Sequence, residues 1–556
     1  MKSGGSLLVE CLLALGAQKC FGVPGESYLD VLDALHDTKG RLDFILCRNE
    51  GGAAFMAEAW GKLTGTPGIC MVTRGPGVTN ASIGIHTAMQ DSTPMLVFVG
   101  QVAREMKGRE AFQEIDYRAV FGTMAKWAVE IDDVERIPEI LSRAWTTALT
   151  GRPGPVVIAL PEDMLTSMTD KPACKPVAIA EAAPRKADID TALAMLDGAE
   201  RPLILAGGGG WSDQGKADLR RFAETANIPV LSAFRFHDVI ANDSACYAGD
   251  AGVGMVAHVR QAIVEADLVL ALNIRFGEMT TDGWSLFDVP NPRQKLIHAH
   301  ASDREIGKVY SADLPVYAGP NEMAAALAAG RAGAGDHRAW CGQRRQAYLD
   351  GLAVPGQPGD LDMGAVIAHL RAVLPEDTIL TNGAGNFAIW PNKHLPVAGR
   401  MRLLAPQSGA MGYGVPAAVA ARLAEPQRTV LCFAGDGDFQ MNCQELGTAM
   451  QHGAQPVILI VNNGTYGTIR MHQERHYPAR VSGTELQNPD FVQLARAYGF
   501  HGERVEKTAD FAAAFARALA SKTGAVLDLV ISKEALTPKQ TLSEMRAAGL
   551  KSSRQV

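Results

Sequence analysis

Two turns in the last third of the chain carry residues that could hold a cation. Gly435-Asp436-Gly437-Asp438-Phe439 follows directly on the apolar run 429–434 (TVLCFA). Asn462-Asn463-Gly464-Thr465-Tyr466-Gly467, beginning about 25 residues later, closes the run 456–462 (PVILIVN). Short β-branched runs of this kind read as buried parallel strands. Neighbouring strands would bring Asp436 and Asn463 to the same carboxyl edge of a sheet, where open α/β sheets bind ligands. A carboxylate, an amide oxygen and the backbone carbonyl of Thr465 are hard donors suited to Mg²⁺, which is usually shared with phosphate groups. Three such donors leave positions for two phosphate oxygens and a water. Asp-Gly and Asn-Gly are also common turn dipeptides, but both turns, their spacing and their preceding strands occur here together.

A second candidate is Glu50, in the segment 47–61 (CRNEGGAAFMAEAWG) after the apolar run 42–46. The break from strand to helix spacing puts Glu50 at a helix N-terminus, where an acid either offsets the helix dipole or reaches a bound cofactor.

Gly-Asp-Gly followed by Asn-Asn at this distance resembles the signature of thiamine diphosphate (ThDP) enzymes. Further segments extend the resemblance, to the acetolactate-synthase-like group, over nearly the whole chain. Residues 21–35 (FGVPGESYLDVLDAL), 72–102 (VTRGPGVTNASIGIHTAMQDSTPMLVFVGQV) and 109–116 (REAFQEID) are similar to that group's pyrimidine-binding domain. The resemblance implies that Asp436, Asn463 and Thr465 hold Mg²⁺, with Gly435, Gly437, Asp438, Tyr466, Gly467 and Thr468 around the diphosphate. Residues 381–390 (TNGAGNFAIW) would add contacts through Ala384, Gly385, Asn386 and Phe387. Residues 408–418 (SGAMGYGVPAA) would bring Gly409 and Met411 to the cofactor, Met411 propping it in a bent V shape. By the same resemblance Glu50 hydrogen-bonds N1′ of the aminopyrimidine, so that the 4′-imino nitrogen can take the proton from C2 of the thiazolium. Gly25, Pro76 and Asn80 would line the pyrimidine side. In this group the pyrimidine binds the first domain of one subunit and the diphosphate the third domain of another. A homodimer or homotetramer with active sites between subunits is therefore implied.

The activity implied is ThDP- and Mg²⁺-dependent decarboxylation of a 2-oxo acid with carboligation of the enamine to a second carbonyl. The alternatives are a 2-oxo acid decarboxylase, or a C–C lyase of benzaldehyde-lyase type. The substrate side departs from the synthases. Their Pro-Gly-Gly-Ala is here Pro24-Gly25-Glu26-Ser27, and His472 stands where they carry a tryptophan. Glu26, Ser27 and His472 are thus candidates for substrate contact or proton relay, solvated side chains being the competing reading. Gln113 matches the element that the group places beside the thiazolium. In the middle of the chain Gly207-Gly208-Gly209-Gly210 could cradle a nucleotide phosphate, and the synthases hold FAD there. A glycine run alone is weak support, and Arg275-Phe276-Gly277-Glu278-Met279 matches the synthases' flavin element only in part, so the expectation leans against FAD.

The elements that must position these residues are legible as alternating short strands and amphipathic segments, the pattern of doubly wound parallel sheets. Three α/β domains are expected: 1–167 for the pyrimidine, 188–335 in the centre and 355–535 for the diphosphate, with 536–556 a polar tail or lid. Pro-rich segments 168–187 and 351–360 read as linkers. The first and third domains share a rhythm of strands and helices. At 556 residues, with 47% hydrophobic and 20% charged residues, burial is not limiting. A net charge of −7 gives no field for polyanions, so nucleic acid is not expected as a partner. No apolar run approaches the roughly 20 residues of a membrane span. Nine scattered cysteines without a Cys-x-x-Cys pair suit a reducing cytoplasm.

Overall fold

The computed structural model describes residues 1–330 and 335–553. Part of the Ala/Gly-rich stretch 324–335, and the last three residues of the tail, lie outside the described residues.

Three six-stranded sheets form, and every strand pairing within them is parallel. The first runs Asp43–Leu46, Lys19–Gly22, Gly68–Val72, Met95–Gln101, Pro155–Pro161, Trp127–Glu130 across the sheet. The third runs Arg402–Leu404, Ile379–Asn382, Val430–Gly435, Val457–Asn462, Ala525–Val530, His501–Val505. Numbered in chain order within each sheet, both read 2-1-3-4-6-5, which gives the shared rhythm a structural basis. The central sheet, Tyr247–Ala251, Val230–Ala233, Pro202–Ala206, Leu268–Leu272, Lys295–His300, Leu314–Tyr317, reads 3-2-1-4-5-6. Doubly wound parallel sheets are buried on both faces, which is why their strands are continuous apolar runs. Trp127–Glu130 and His501–Val505 lie at sheet edges and are only partly buried, so they lack the continuous apolar run of the central strands.

By packing, the chain divides into two compact units. One comprises Met1–Ala180 with Pro406–Gln427 and Asn442–Ala454; the other comprises Glu181–Ala405, Arg428–Met441 and Gln455–Val556. The inclusion of two later segments in the first unit follows from helix packing. The helix Glu50–Thr64 is buried almost all round, from Gly51 to Trp60 without interruption, and so needs cover on every side. It receives that cover from helices Gly75–Asp91 and Gly414–Ala424. Small residues permit the approach: a Cβ on Gly84 would lie 2.4 Å from that of Ala54. Asn49 caps this helix by accepting from the Gly51 N–H at 2.8 Å, and Gly65, at φ +73°, ends it. Among the described residues no helix is long and apolar enough to cross a membrane, and all nine cysteines are free.

The polar stretch from Leu536 folds further than its composition suggests. A helix, Leu542–Ser553, starts at a capping box in which Thr541 and Glu544 exchange backbone and side-chain hydrogen bonds. Leu536, Leu542 and Met545 bury themselves with Met471 of the helix Gly467–His476. Beside that contact the fully buried Glu474 carboxylate accepts from Arg546 at 2.8 and 2.9 Å and from Arg470 at 3.0 Å. Hydrogen bonding by Arg546 holds the Glu474 carboxyl down at about 2. A carboxyl depressed in this way contributes stability above its unfolded value that is lost as pH falls through the folded one. Protection of the 542–553 amides relative to their intrinsic exchange rates should therefore be high at pH 7 and fall as pH drops from about 4.5 towards 2. In Arg546→Ala the low protection should already be present at pH 7; equal protection in variant and parent would remove this account.

Candidate functional site

The two strand tips singled out in the sequence are neighbours. Val430–Gly435 and Val457–Asn462 pair in parallel with Gly435 opposite Val461, and the Gly464 N–H donates to Asp436 Oδ2 at 2.8 Å. The loop beyond Asn463 is fastened to a following segment. Thr465 Oγ1 and the Tyr466 N–H both donate to the Thr484 carbonyl, at 2.7 and 2.9 Å, and the Leu486 N–H donates to the Gly464 carbonyl at 3.0 Å. Asn463 Oδ1 accepts from the Thr465 N–H at 3.2 Å. Gly437 is required because the Tyr466 ring lies where a Cβ would sit, 2.5 Å away.

The strand Ile379–Asn382 delivers a third loop to the same edge. Buried Asp438 accepts from the Ala384 N–H at 3.2 Å and occupies the space beside Gly383. Phe387 packs on Gly385 and Gly435, where added Cβ atoms would each lie 2.7 Å from the ring. Asn386 accepts from Thr468 Oγ1 at 2.9 Å, which ties this loop to the start of the Gly467–His476 helix. A Cβ on Gly467 would meet Asn463 Nδ2 at 3.2 Å.

Asp436 is 3% exposed, its side-chain donors are neutral, and burial raises its carboxyl above the usual range. A divalent cation would favour the carboxylate form. Among the described residues no group of three or more His, Cys, Asp or Glu side chains could hold a metal. A cation here would draw on the Asp436 carboxylate with amide and carbonyl oxygens, a donor set suited to Mg²⁺ and unlike a zinc site. The residues present fit the ion.

In the other unit, Glu50 stands half-buried at the N-terminus of its helix, and its Oε2 accepts from Asn80 Nδ2 at 2.9 Å. Gly77 passes close by; a Cβ there would lie 3.6 Å from Glu50 Oε1. Gly25 follows the strand Lys19–Gly22, and Pro76 and Asn80 lie in the first two turns of the helix Gly75–Asp91 that follows Gly68–Val72; these strands are adjacent where the strand order of this sheet reverses. Gln113 occupies a left-handed backbone position, φ +66°, and its carbonyl accepts from the Gly75 N–H at 3.0 Å. Gly409, at φ +69°, and half-buried Met411 belong to a loop of this same unit.

Of the substrate-side candidates, Ser27 is wholly buried, 3.0 Å from Thr73 Oγ1, and packs against Gly100. Its hydroxyl fills space inside the domain. Glu26 is largely solvated, with Arg74 3.9 Å away. His472 is exposed on its helix and stacks on His476, the ring centroids 6.3 Å apart; burial and then Arg475 lower its basicity. The glycine turn after Pro202–Ala206 folds over Asn273, whose amide donates to the Gly207 and Gly209 carbonyls at 3.2 and 2.9 Å.

Two residues that motif reading passed over organise these edges. Asn488 donates to Asp436 Oδ2 at 2.7 Å and to Asn462 Oδ1 at 3.1 Å, so it sets the rotamer of the candidate cation ligand. A lone asparagine in a polar loop gives no sequence signal. Glu445, fully buried, accepts from the Arg48 N–H at 3.2 Å, the Asn49 N–H at 3.0 Å and Thr448 Oγ1 at 2.6 Å. It thereby anchors the turn that presents Glu50, and Gly52 leaves it room, since a Cβ there would lie 2.5 Å from Glu445 Oε1.

Comparison with known proteins agrees with this layout. Residues 2–120, 189–327 and 383–529 match, in turn, the N-terminal TPP binding, central and C-terminal TPP binding domains of thiamine pyrophosphate enzymes. The acetolactate synthase large subunit of Parasynechococcus marenigrum (strain WH8102) is 32% identical over 96% of this chain and 88% of its own length. The acetolactate synthase isozyme 2 large subunit of Escherichia coli (strain K12) is 31% identical over 91% of each. A probable acetolactate synthase large subunit of Methanocaldococcus jannaschii is 32% identical over 96% of this chain and 93% of its own. With three parallel-sheet domains matched in order and relatives spanning nearly the full length, the chain belongs to the thiamine pyrophosphate enzymes, as an enzyme of the acetolactate synthase-like group.

Proposed function

We propose that the protein is a ThDP- and Mg²⁺-dependent enzyme that decarboxylates a 2-oxo acid and joins the remaining fragment to a second carbonyl compound. The observation that supports this most is the hydrogen bond between Asp436 and Gly464, which unites two adjacent strand tips around a buried carboxylate that has no cationic donor among the described residues. Asp436, Asn463 and the Thr465 carbonyl would hold Mg²⁺. Ala384, Gly385, Asn386, Phe387, Gly435, Gly437, Asp438, Tyr466, Gly467 and Thr468 would surround the diphosphate. When bound, ThDP would supply an electron-accepting thiazolium next to the carboxylate that is lost.

Glu50 would hold a proton at N1′ of the aminopyrimidine, with Gly25, Pro76 and Asn80 on the same side. Met411 and Gly409 would support the cofactor, and Gln113 would offer a polar contact to the substrate. Glu26 and His472 would act from the solvent side, at the rim. We further propose a homodimer or homotetramer in which the acid of one subunit serves the diphosphate of another, located in the cytoplasm, where nine free thiols suit the reducing conditions. FAD is left out of the proposal. The carboligase reading is favoured over a plain decarboxylase or lyase by the names of the relatives.

Three measurements test it. Incubation of the purified protein with ThDP, Mg²⁺ and pyruvate should give acetolactate; acetaldehyde as sole product would replace the carboligase reading with a decarboxylase. Glu50→Gln should keep ThDP affinity while slowing C2 proton exchange and turnover by about 10²–10⁴-fold, and unchanged C2 exchange would refute the role of Glu50. Asn488→Ala should weaken the Mg²⁺ requirement curve for ThDP binding by about tenfold through loss of ligand orientation. An unshifted Mg²⁺ titration would count against the cation site.

A further inference from the structure

Three buried polar side chains in the first unit, Asp91, Glu58 and Tyr413, are arranged around the ammonium of Lys62, and none belongs to the cofactor or cation sites. Lys62 reaches Asp91 Oδ2 through a short hydrogen bond and Glu58 Oε1 at 3.2 Å. Each carboxylate gives its other oxygen to the loop 406–413. Asp91 Oδ1 accepts from the Gln407 N–H at 2.7 Å, and Glu58 Oε2 accepts from the Tyr413 hydroxyl at 2.5 Å. Glu58 and Tyr413 have no exposure and Asp91 has 1%. The loop between these anchor points carries Gly409 and Met411. It is tied further by Ser408 to Thr87, 2.9 Å between hydroxyls, and by Asn442 to the Gly412 carbonyl at 2.9 Å.

We propose that Lys62, Asp91, Glu58 and Tyr413 form a clamp that positions the Gly409–Met411 loop at its entry and its exit together. The clamp's link to catalysis rests on the cofactor reading of Met411 given above. Two carboxylates sharing one ammonium in a dry interior are a poor way to gain stability, because the cost of desolvating charge offsets most of the attraction. What the arrangement supplies is direction. Each carboxylate turns one oxygen to Lys62 and the other to the loop, and Thr93 Oγ1 donates to Glu58 Oε1 at 2.7 Å. The Lys62 ammonium also lies 5.3 Å from the Tyr413 ring centroid, and that ring stands edge-on to Phe55 at 5.4 Å. A shift at one end of the loop must therefore strain the lysine that holds the other. The excess of acid over base agrees with a carboxyl at Asp91 lifted by burial to about 7.

The test uses the full-length protein and two conservative variants, Tyr413→Phe, which removes one hydroxyl, and Asp91→Asn. A packing control, Ser232→Ala, removes a buried hydroxyl of the central sheet that lies 3.2 Å from the Tyr247 hydroxyl. Without cofactor, amide hydrogen exchange over 407–412 should rise about tenfold in each clamp variant, as expected for losing one buried hydrogen bond, and stay unchanged in the control. Affinity for ThDP with Mg²⁺, read by calorimetry, should fall about tenfold in the same variants. Since the ends act as a unit, the double variant should be no worse than the weaker single one. Exchange that is unchanged in Tyr413→Phe, full ThDP affinity in both variants, or losses that multiply in the double variant would each overturn the clamp. A parent protein that binds no ThDP would instead remove the cofactor reading, while the exchange arm still decides whether the clamp holds the loop.

Discussion

A carboxylate buried at the end of a parallel strand is the constraint on which the rest of the third sheet's carboxyl edge depends. Asp436 cannot be solvated where it stands, and its donors are amides. Its orientation is fixed through a relay: Asn488 bonds both Asp436 and Asn462, Asn462 donates to Asp528 at 2.9 Å, and Arg504 closes the line on Asp528 at 3.0 Å. The relay crosses three adjacent strands, so the orientation of Asp436 is set by the sheet itself. Sites supported on rigid elements by outer hydrogen bonds hold their geometry better than sites left to loops.

The first and third sheets repeat one strand order, yet their carboxyl edges carry different chemistry. In the third, oxygen donors and glycine turns suit a cation and phosphates. In the first, one acid projects from a helix N-terminus that Glu445 and Asn49 hold in place. Topology explains why both edges are open to ligands, since strand order reverses there. Side chains decide what each edge can take.

Two supports lie away from either edge. The C-terminal helix braces the Gly467–His476 helix through Glu474 and a small apolar cluster. The lysine-centred cluster secures the loop of Met411. Both depend on buried ion pairs, which cost desolvation and in return fix direction.

The amino-acid sequence by itself determined the local features: parallel strands from apolar runs such as 456–462, the Gly-Asp-Gly and Asn-Asn turns, Glu50 at a strand-to-helix break, and the three-sheet class. Strand and turn chemistry is written over a few adjacent residues, so spacing reveals it. Contacts between distant segments are not written that way. Glu445 beneath the Glu50 turn, Asn488 on Asp436, Tyr413 on Glu58 and Arg546 on Glu474 join residues 52 to 396 positions apart. The same distance hid the burial of Ser27, read from motif position as a substrate-side group. Only the tertiary structure decided these, because a buried polar group's partner is chosen by which surfaces pack together, and packing is a property of the whole chain.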